Sequence, residues 1–156
     1  MNEVEVASAG VEPPPWRSRL ARFARKVLRA RGIRDWEVSI LLCDDGTIRA
    51  LNRKYRNLDA ATDVLSFPQF DESFAPGPAP AGSPREAKRS AGDVVISLET
   101  LRENAAGGGV PEEEELKRLV IHGILHLQGM DHPDGDSRML ELQERILSAL
   151  AKERVL

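Results

Sequence analysis

Apolar residues recur along the chain with two spacings, and these spacings predict its helices and strands. Between Trp16 and Gly32 they return every three or four positions, which is typical of a helix with one buried side. Short runs of apolar, β-branched or alternating residues predict strands at Asn2 to Val6, Trp36 to Leu42, Asp63 to Phe67 and Asp93 to Leu98. The resulting order, β-α-β-α-β-β-α-α-α, predicts an α+β or mixed α/β fold with a sheet of about four strands.

Four further helices are predicted from their boundary residues, one of them a short helix that follows Leu98 and breaks at Gly107 to Gly109. One is capped by Asp44 or Asp45 and runs to about Tyr55, with Ile48, Leu51 and Tyr55 on its buried side. A longer helix opens at Pro111, where a missing N–H costs nothing, and four glutamates behind it meet the positive end of the helix dipole. The last helix extends from about Asp136 to Lys152.

The chain is predicted to form one domain over residues 1–156. Residues 71–91 contain four prolines and two glycines, a composition that does not pack as a regular element. This segment is therefore predicted to be a surface loop.

The chain's three histidines, His122, His126 and His132, all fall within eleven residues of the long helix and the turn after it. The first two are four residues apart, so their rings project from one helix face. Gly129 allows the chain to turn there and bring His132 back. Three imidazoles that leave a coordination position for water predict a catalytic divalent metal site. Zinc is favoured, with nickel, copper or iron as alternatives.

Two neighbours of the histidines affect the chemistry. The spacing of the histidines and Gly129 is that of the metzincin proteases, which have a glutamate general base after the first histidine. Here that position is Gly123, which argues against a peptidase. Asp131 is interpreted either as an acceptor that orients a ligand ring or as a turn residue.

Composition and the distribution of charge bear on the protein's partners and its cellular location. The net charge of −3 and pI near 5.7 give no general attraction for polyanions, but residues 17–34 contain eight basic and no acidic residues. This basic helix face is interpreted either as a surface for an RNA backbone or as an ordinary solvated face. A single cysteine, Cys43, interpreted as a buried thiol, and the lack of a long apolar run predict a cytoplasmic protein without a membrane partner.

Three segments together resemble the YbeY family of bacterial endoribonucleases. They are HGILHLQGMDH (His122 to His132), LNRKYRNLDAATDVLSFP (Leu51 to Pro68) and GDVVIS (Gly92 to Ser97), and they come in the family's order. The resemblance implies a small α+β domain with a central sheet. It also implies that the three histidines bind the metal and that Arg56 is functionally important.

The resemblance further implies a single-strand-type, metal-dependent endoribonuclease that matures the 3′ end of 16S ribosomal RNA and acts in ribosome quality control. Implied partners are ribosomal RNA, the small ribosomal subunit, ribosomal proteins and an assembly GTPase. Two alternatives stay open: a non-catalytic assembly factor stabilised by its metal, and a metal-dependent hydrolase of some other substrate such as an amide.

Overall fold

The computed structural model describes residues 1–69, 89–131 and 137–156 of the chain. Within these ranges the helices and strands follow the order predicted from the sequence. The strands are β1 (Glu3–Ala9), β2 (Trp36–Cys43), β3 (Val64–Pro68) and β4 (Arg89–Ser97). The helices are α1 (Arg17–Ala30), α2 (Asp45–Arg56), α3 (Leu98–Gly108), α4 (Glu112–Leu127) and α5 (Arg138–Ala149).

In the described part of the chain, the strands form one mixed sheet in the order β1-β2-β4-β3. β1, β2 and β4 are parallel, whereas β3 runs antiparallel to β4. This sheet and its helices confirm the predicted α+β fold. Among the described residues, this order leaves β3 at one edge of the sheet, with a neighbouring strand on one side only.

Helices cover both faces of the sheet. In β2, Val38 and Ile40 point into the larger core, to which α1, α4 and α5 contribute. The alternate residues Leu41 and Cys43 point the other way, into a smaller cluster with Ile48 of α2. Successive strand residues face opposite sides, so α2 and α4 lie on opposite faces of the sheet.

Two sequence expectations are wrong in detail. Tyr55 was expected on the buried side of α2, but it is 58% exposed, and the buried residues of this helix are Ile48 and Asn52. The surface loop was expected to extend to Ala91, but β4 begins at Arg89 and Ala91 is fully buried. Most of the expected loop, residues 70–88, lies outside the described residues.

The thiol of Cys43 is buried, as expected, and donates to the Ile96 carbonyl oxygen at 3.5 Å. Burial, which disfavours the thiolate, raises its pKa to about 12. Among the described residues, no helix has the length and apolar character needed to cross a bilayer.

Helix α4 lies unusually close to the sheet at Gly123. A Cβ atom at this position would be 2.5 Å from Cγ1 of Val94 in β4, so a larger residue would push the helix away. The Ser66 hydroxyl of β3 also donates to the Gly123 carbonyl oxygen at 3.2 Å. Both contacts fix the height of α4 above the sheet.

We expect Gly123→Ala to lower the free energy of unfolding by about 1–3 kcal/mol, because the added methyl group overpacks the contact with Val94. Chemical denaturation measures this loss. In the double variant with Val94→Ala, the loss should be smaller than the sum of the two single losses, since the two sites share one contact.

The matched control is Gly107→Ala in α3, where a Cβ meets nothing within 4 Å. It should be neutral or stabilising. Equal effects at Gly107 and Gly123 would contradict the steric explanation.

Candidate metal centre

A cleft of about 810 Å³ runs along the edge strand β3, between the C-terminal ends of α2 and α4. Its walls come from opposite faces of the sheet, and β3 is the element they share. The residues that line it are Asn52, Arg56, Leu58, Thr62, Asp63, Val64, Leu65, Ser66, Pro68, His122, His126, Gly129, Met130 and Asp131.

His122 and His126 lie side by side on the cleft face of α4, as their spacing predicts. Their Nε2 atoms are 3.0 Å apart, and their rings meet edge to face with centroids 4.6 Å apart. Both side chains are half-buried. The helix thus directs two imidazole nitrogens to one point.

The end of α4 follows the sequence prediction. Gly129 adopts a φ of +87°, and the amides of Gly129 and Met130 donate to the carbonyls of His126 and Leu125, which is the Schellman arrangement. The chain then leads past Asp131, which lines the cleft. His132 lies outside the described residues, so the third metal ligand stays a prediction.

Gln143 of α5 contacts Nδ1 of the His122 ring, on the side away from Nε2. This contact was not predicted from the sequence. The Gln143 side chain is buried, and Oε1 lies 2.7 Å from Nδ1 of His122. An amide oxygen is an acceptor, so Oε1 of Gln143 can accept the Nδ1–H of His122. The signal in the sequence was a glutamine within the apolar stripe of α5.

Arg56, the last residue of α2, faces the histidines across the cleft. One guanidinium nitrogen donates to the Ser66 carbonyl oxygen at 2.7 Å, and Cζ lies 5.7 Å from the centroid of the Phe67 ring. The side chain is exposed, so its remaining donors face the cleft and solvent. The cleft therefore has a permanent positive charge on the wall opposite the imidazoles.

Three further polar residues, Asn52, Asp63 and Asp93, have structural contacts. Asn52 donates to the Ala60 carbonyl oxygen at 2.9 Å and holds the chain that follows α2. Asp63 accepts from Asn104 at 3.3 Å through its side chain. Asp93 accepts from Gln69, and partial burial raises its pKa.

The described side chains fit a metal ion bound by imidazole. Two nitrogens that each lie about 2.0–2.1 Å from a tetrahedral zinc ion are about 3.3 Å apart, which is close to the 3.0 Å between the Nε2 atoms here. An acceptor at Nδ1 of His122 leaves the Nε2 lone pair for a metal. Cys43 points to the opposite face of the sheet from α4, so it is not a candidate ligand.

The basic face of α1 lies apart from the cleft. Helix α1 packs over β1, at the sheet edge opposite β3. Arg19, Arg22 and Arg29 are exposed there, while Arg31 donates to Gln128 at 2.7 Å. Whether this face binds RNA stays an open prediction.

Comparison with known proteins supplies the family context. The family model described as Endoribonuclease YbeY matches residues 7–151. A protein of that name from Treponema pallidum (strain Nichols) is 46% identical over 150 residues, which cover 95% of this chain and 89% of the relative. One from Aquifex aeolicus is 38% identical over 139 residues, with 87% and 85% of the two chains covered.

A solved structure has the same fold. The solution structure of a Thermotoga maritima protein superimposes with a TM-score of 0.62 and 27% sequence identity, covering 93% of this chain and 87% of that one.

We expect Gln143→Met to weaken zinc binding about 10- to 100-fold, because the His122 ring loses the acceptor that orients it. Competition with a chromogenic chelator measures the affinity. Gln143→Glu, which retains an acceptor oxygen, should bind zinc more tightly than the methionine variant. Unchanged affinity in Gln143→Met would show that the contact does not orient the ring.

Proposed function

This chain belongs to the YbeY family of endoribonucleases, and on that basis we propose that it cleaves RNA phosphodiester bonds by metal-assisted hydrolysis in the cleft along β3. The observation that carries the proposal is that His122, His126 and Arg56 line one cleft although they come from opposite faces of the sheet. A phosphodiester in this cleft would lie between imidazoles on one wall and a guanidinium on the other.

We assign the metal ligands to His122, His126 and His132, with zinc as the first choice for nitrogen donors. His132 enters this assignment through its spacing in the sequence and the family resemblance. When bound, the ion would supply Lewis-acid chemistry, lowering the pKa of a water molecule to about 7 and polarising a phosphoryl oxygen. Gln143 orients the His122 ring so that Nε2 faces the cleft.

Arg56 is the proposed stabiliser of the transition state. Cleavage of a phosphodiester adds negative charge to the phosphoryl oxygens, and a planar guanidinium can donate to two of them at once. The bond from Arg56 to the Ser66 carbonyl uses one of its donors and anchors the side chain at the cleft. Other N–H groups remain to contact the substrate.

We extend the proposal to the biological substrate, the precursor of 16S ribosomal RNA at its 3′ end in the cytoplasm. The partners would be the small ribosomal subunit, ribosomal proteins and an assembly GTPase. The support is the resemblance of the three sequence segments to the family.

We expect His126→Ala to lose stoichiometric zinc and to lose cleavage of precursor 16S ribosomal RNA, because it removes one of the two imidazoles that converge in the cleft. Elemental analysis and a cleavage assay on the same preparations test this. Chelation of the wild-type protein should abolish cleavage, and added zinc should restore it. Stoichiometric metal without cleavage of any RNA by the wild type would instead support a non-catalytic assembly factor.

Arg56→Ala should retain wild-type zinc content but lower kcat about 100- to 1000-fold, as expected when one charge-stabilising donor is removed. Single-turnover cleavage kinetics and metal analysis measure the two effects separately. The control is Arg102→Ala on α3, which removes an exposed arginine next to Glu112 and outside the cleft. Retained cleavage in Arg56→Ala would remove this residue from the mechanism.

A further inference from the structure

The last turn of α2 presents an aromatic ring to solvent at the rim of the cleft. Tyr55 is 58% exposed, although it lies one turn beyond the inward-facing residues of the helix. The exposure follows from how α2 meets the sheet. The buried residues of this helix are Ile48 and Asn52, and the turn after Asn52 lies beyond the core. A large exposed aromatic side chain beside a cleft calls for a physical explanation.

Tyr55 belongs to a cluster of two rings and two cations, which we call the aromatic cluster: Lys54, Tyr55, Arg56 and Phe67. The Tyr55 and Phe67 rings meet at an interplanar angle of 63°, with centroids 5.4 Å apart. Nζ of Lys54 is 5.1 Å from the Tyr55 centroid. The contact with Phe67 orients the Tyr55 ring while more than half of the side chain stays accessible.

The aromatic cluster adjoins the cleft through Arg56. Arg56, which lines the cleft, directly follows Tyr55. Cζ of Arg56 lies 5.7 Å from the centroid of the Phe67 ring, which packs on the α2 face of the sheet. Because the Phe67 ring contacts both Arg56 and Tyr55, a ligand strand that leaves the cleft past Arg56 comes within reach of the Tyr55 ring.

Oriented, exposed aromatic rings next to cations are the features by which proteins hold single-stranded nucleic acid. A base stacks on the ring, and the cations attract the phosphates on either side. The Lys54 side chain is flexible, so it can move from the ring to a phosphate when a base stacks. Among the residues that the structure describes, no phenylalanine, tyrosine or tryptophan lines the cleft itself.

We propose that the aromatic cluster is a nucleobase subsite, in which one base of single-stranded RNA stacks on Tyr55 while its backbone passes Lys54 and Arg56 into the cleft. This inference rests on the proposed nuclease function and adds the residues that would hold an unpaired base next to the cleaved bond. It also explains the exposure of Tyr55 as part of ligand binding.

The test is the affinity of the full-length protein for short RNA, measured by fluorescence anisotropy with zinc present. Tyr55→Ala should weaken binding of a single-stranded oligonucleotide about 5- to 100-fold, which is the typical effect of removing one stacking ring. Tyr55→Trp should bind at least as tightly as wild type, whereas Tyr55→Leu, which keeps an apolar side chain but no π-face, should resemble the alanine variant.

A series of oligonucleotides with a single abasic site at successive positions identifies the stacked base. At one position, loss of the base should weaken binding to the wild type but should not change the affinity of Tyr55→Ala. In that variant the ring on which the base would stack is already absent. A 2-aminopurine at the same position should be quenched by the wild type and less so by the alanine variant. Thermal unfolding should be the same for all variants, since Tyr55 lies outside the core.

The outcomes separate this inference from the proposed function. If the wild type cleaves RNA while Tyr55→Ala and Tyr55→Leu bind as tightly as wild type, the subsite is wrong and the nuclease stands. The inference would also be overturned if Tyr55→Ala weakened binding of the intact oligonucleotide and of every abasic oligonucleotide by the same factor. If the wild type neither binds nor cleaves RNA, both proposals fail.

Discussion

The close contact between Gly123 and Val94 determines how the rest of the site is arranged. Successive residues of an α-helix are separated by about 100° around its axis. His122 and His126 are therefore rotated from Gly123 by about 100° and about 60°, both in the same direction. Once Gly123 faces the sheet, both imidazoles must project along one flank of α4. That flank faces the edge strand β3, where the cleft opens. One missing side chain thus sets both the distance of the helix from the sheet and the direction of its ligands.

The same contact explains why a metzincin-like spacing occurs here without the chemistry of a protease. A glutamate at position 123 would have to grow into the space occupied by the Val94 side chain. The fold therefore leaves no room for a carboxylate general base directly after the first histidine. The positive charge of Arg56 stands on the opposite wall of the cleft, an arrangement better matched to phosphoryl oxygens than to an amide.

Local pattern was enough to predict the order of the elements, the shared face of His122 and His126, and the turn at Gly129, because each depends on residues near in sequence. Gln143 was missed because its contact with His122 exists only after α5 packs on α4. The inward placement of Tyr55 was wrong because residues three and four positions apart both satisfy a helical stripe. Arg56 was singled out by family resemblance, since nothing local to α2 indicates that its end faces α4.

Ser66 is the residue through which the two walls of the cleft are connected. Its hydroxyl donates to the Gly123 carbonyl of α4, while its own carbonyl accepts from Arg56 of α2. Both contacts depend on the position of β3 against β4. At Gly92 of β4 the Phe67 carbonyl of β3 comes so close that a Cβ atom at Gly92 would collide with it. The separation of guanidinium and imidazoles is thus set by one edge strand. Because that strand pairs on one side only within the described parts of the chain, the contacts of Ser66 are what tie its open side to both helices.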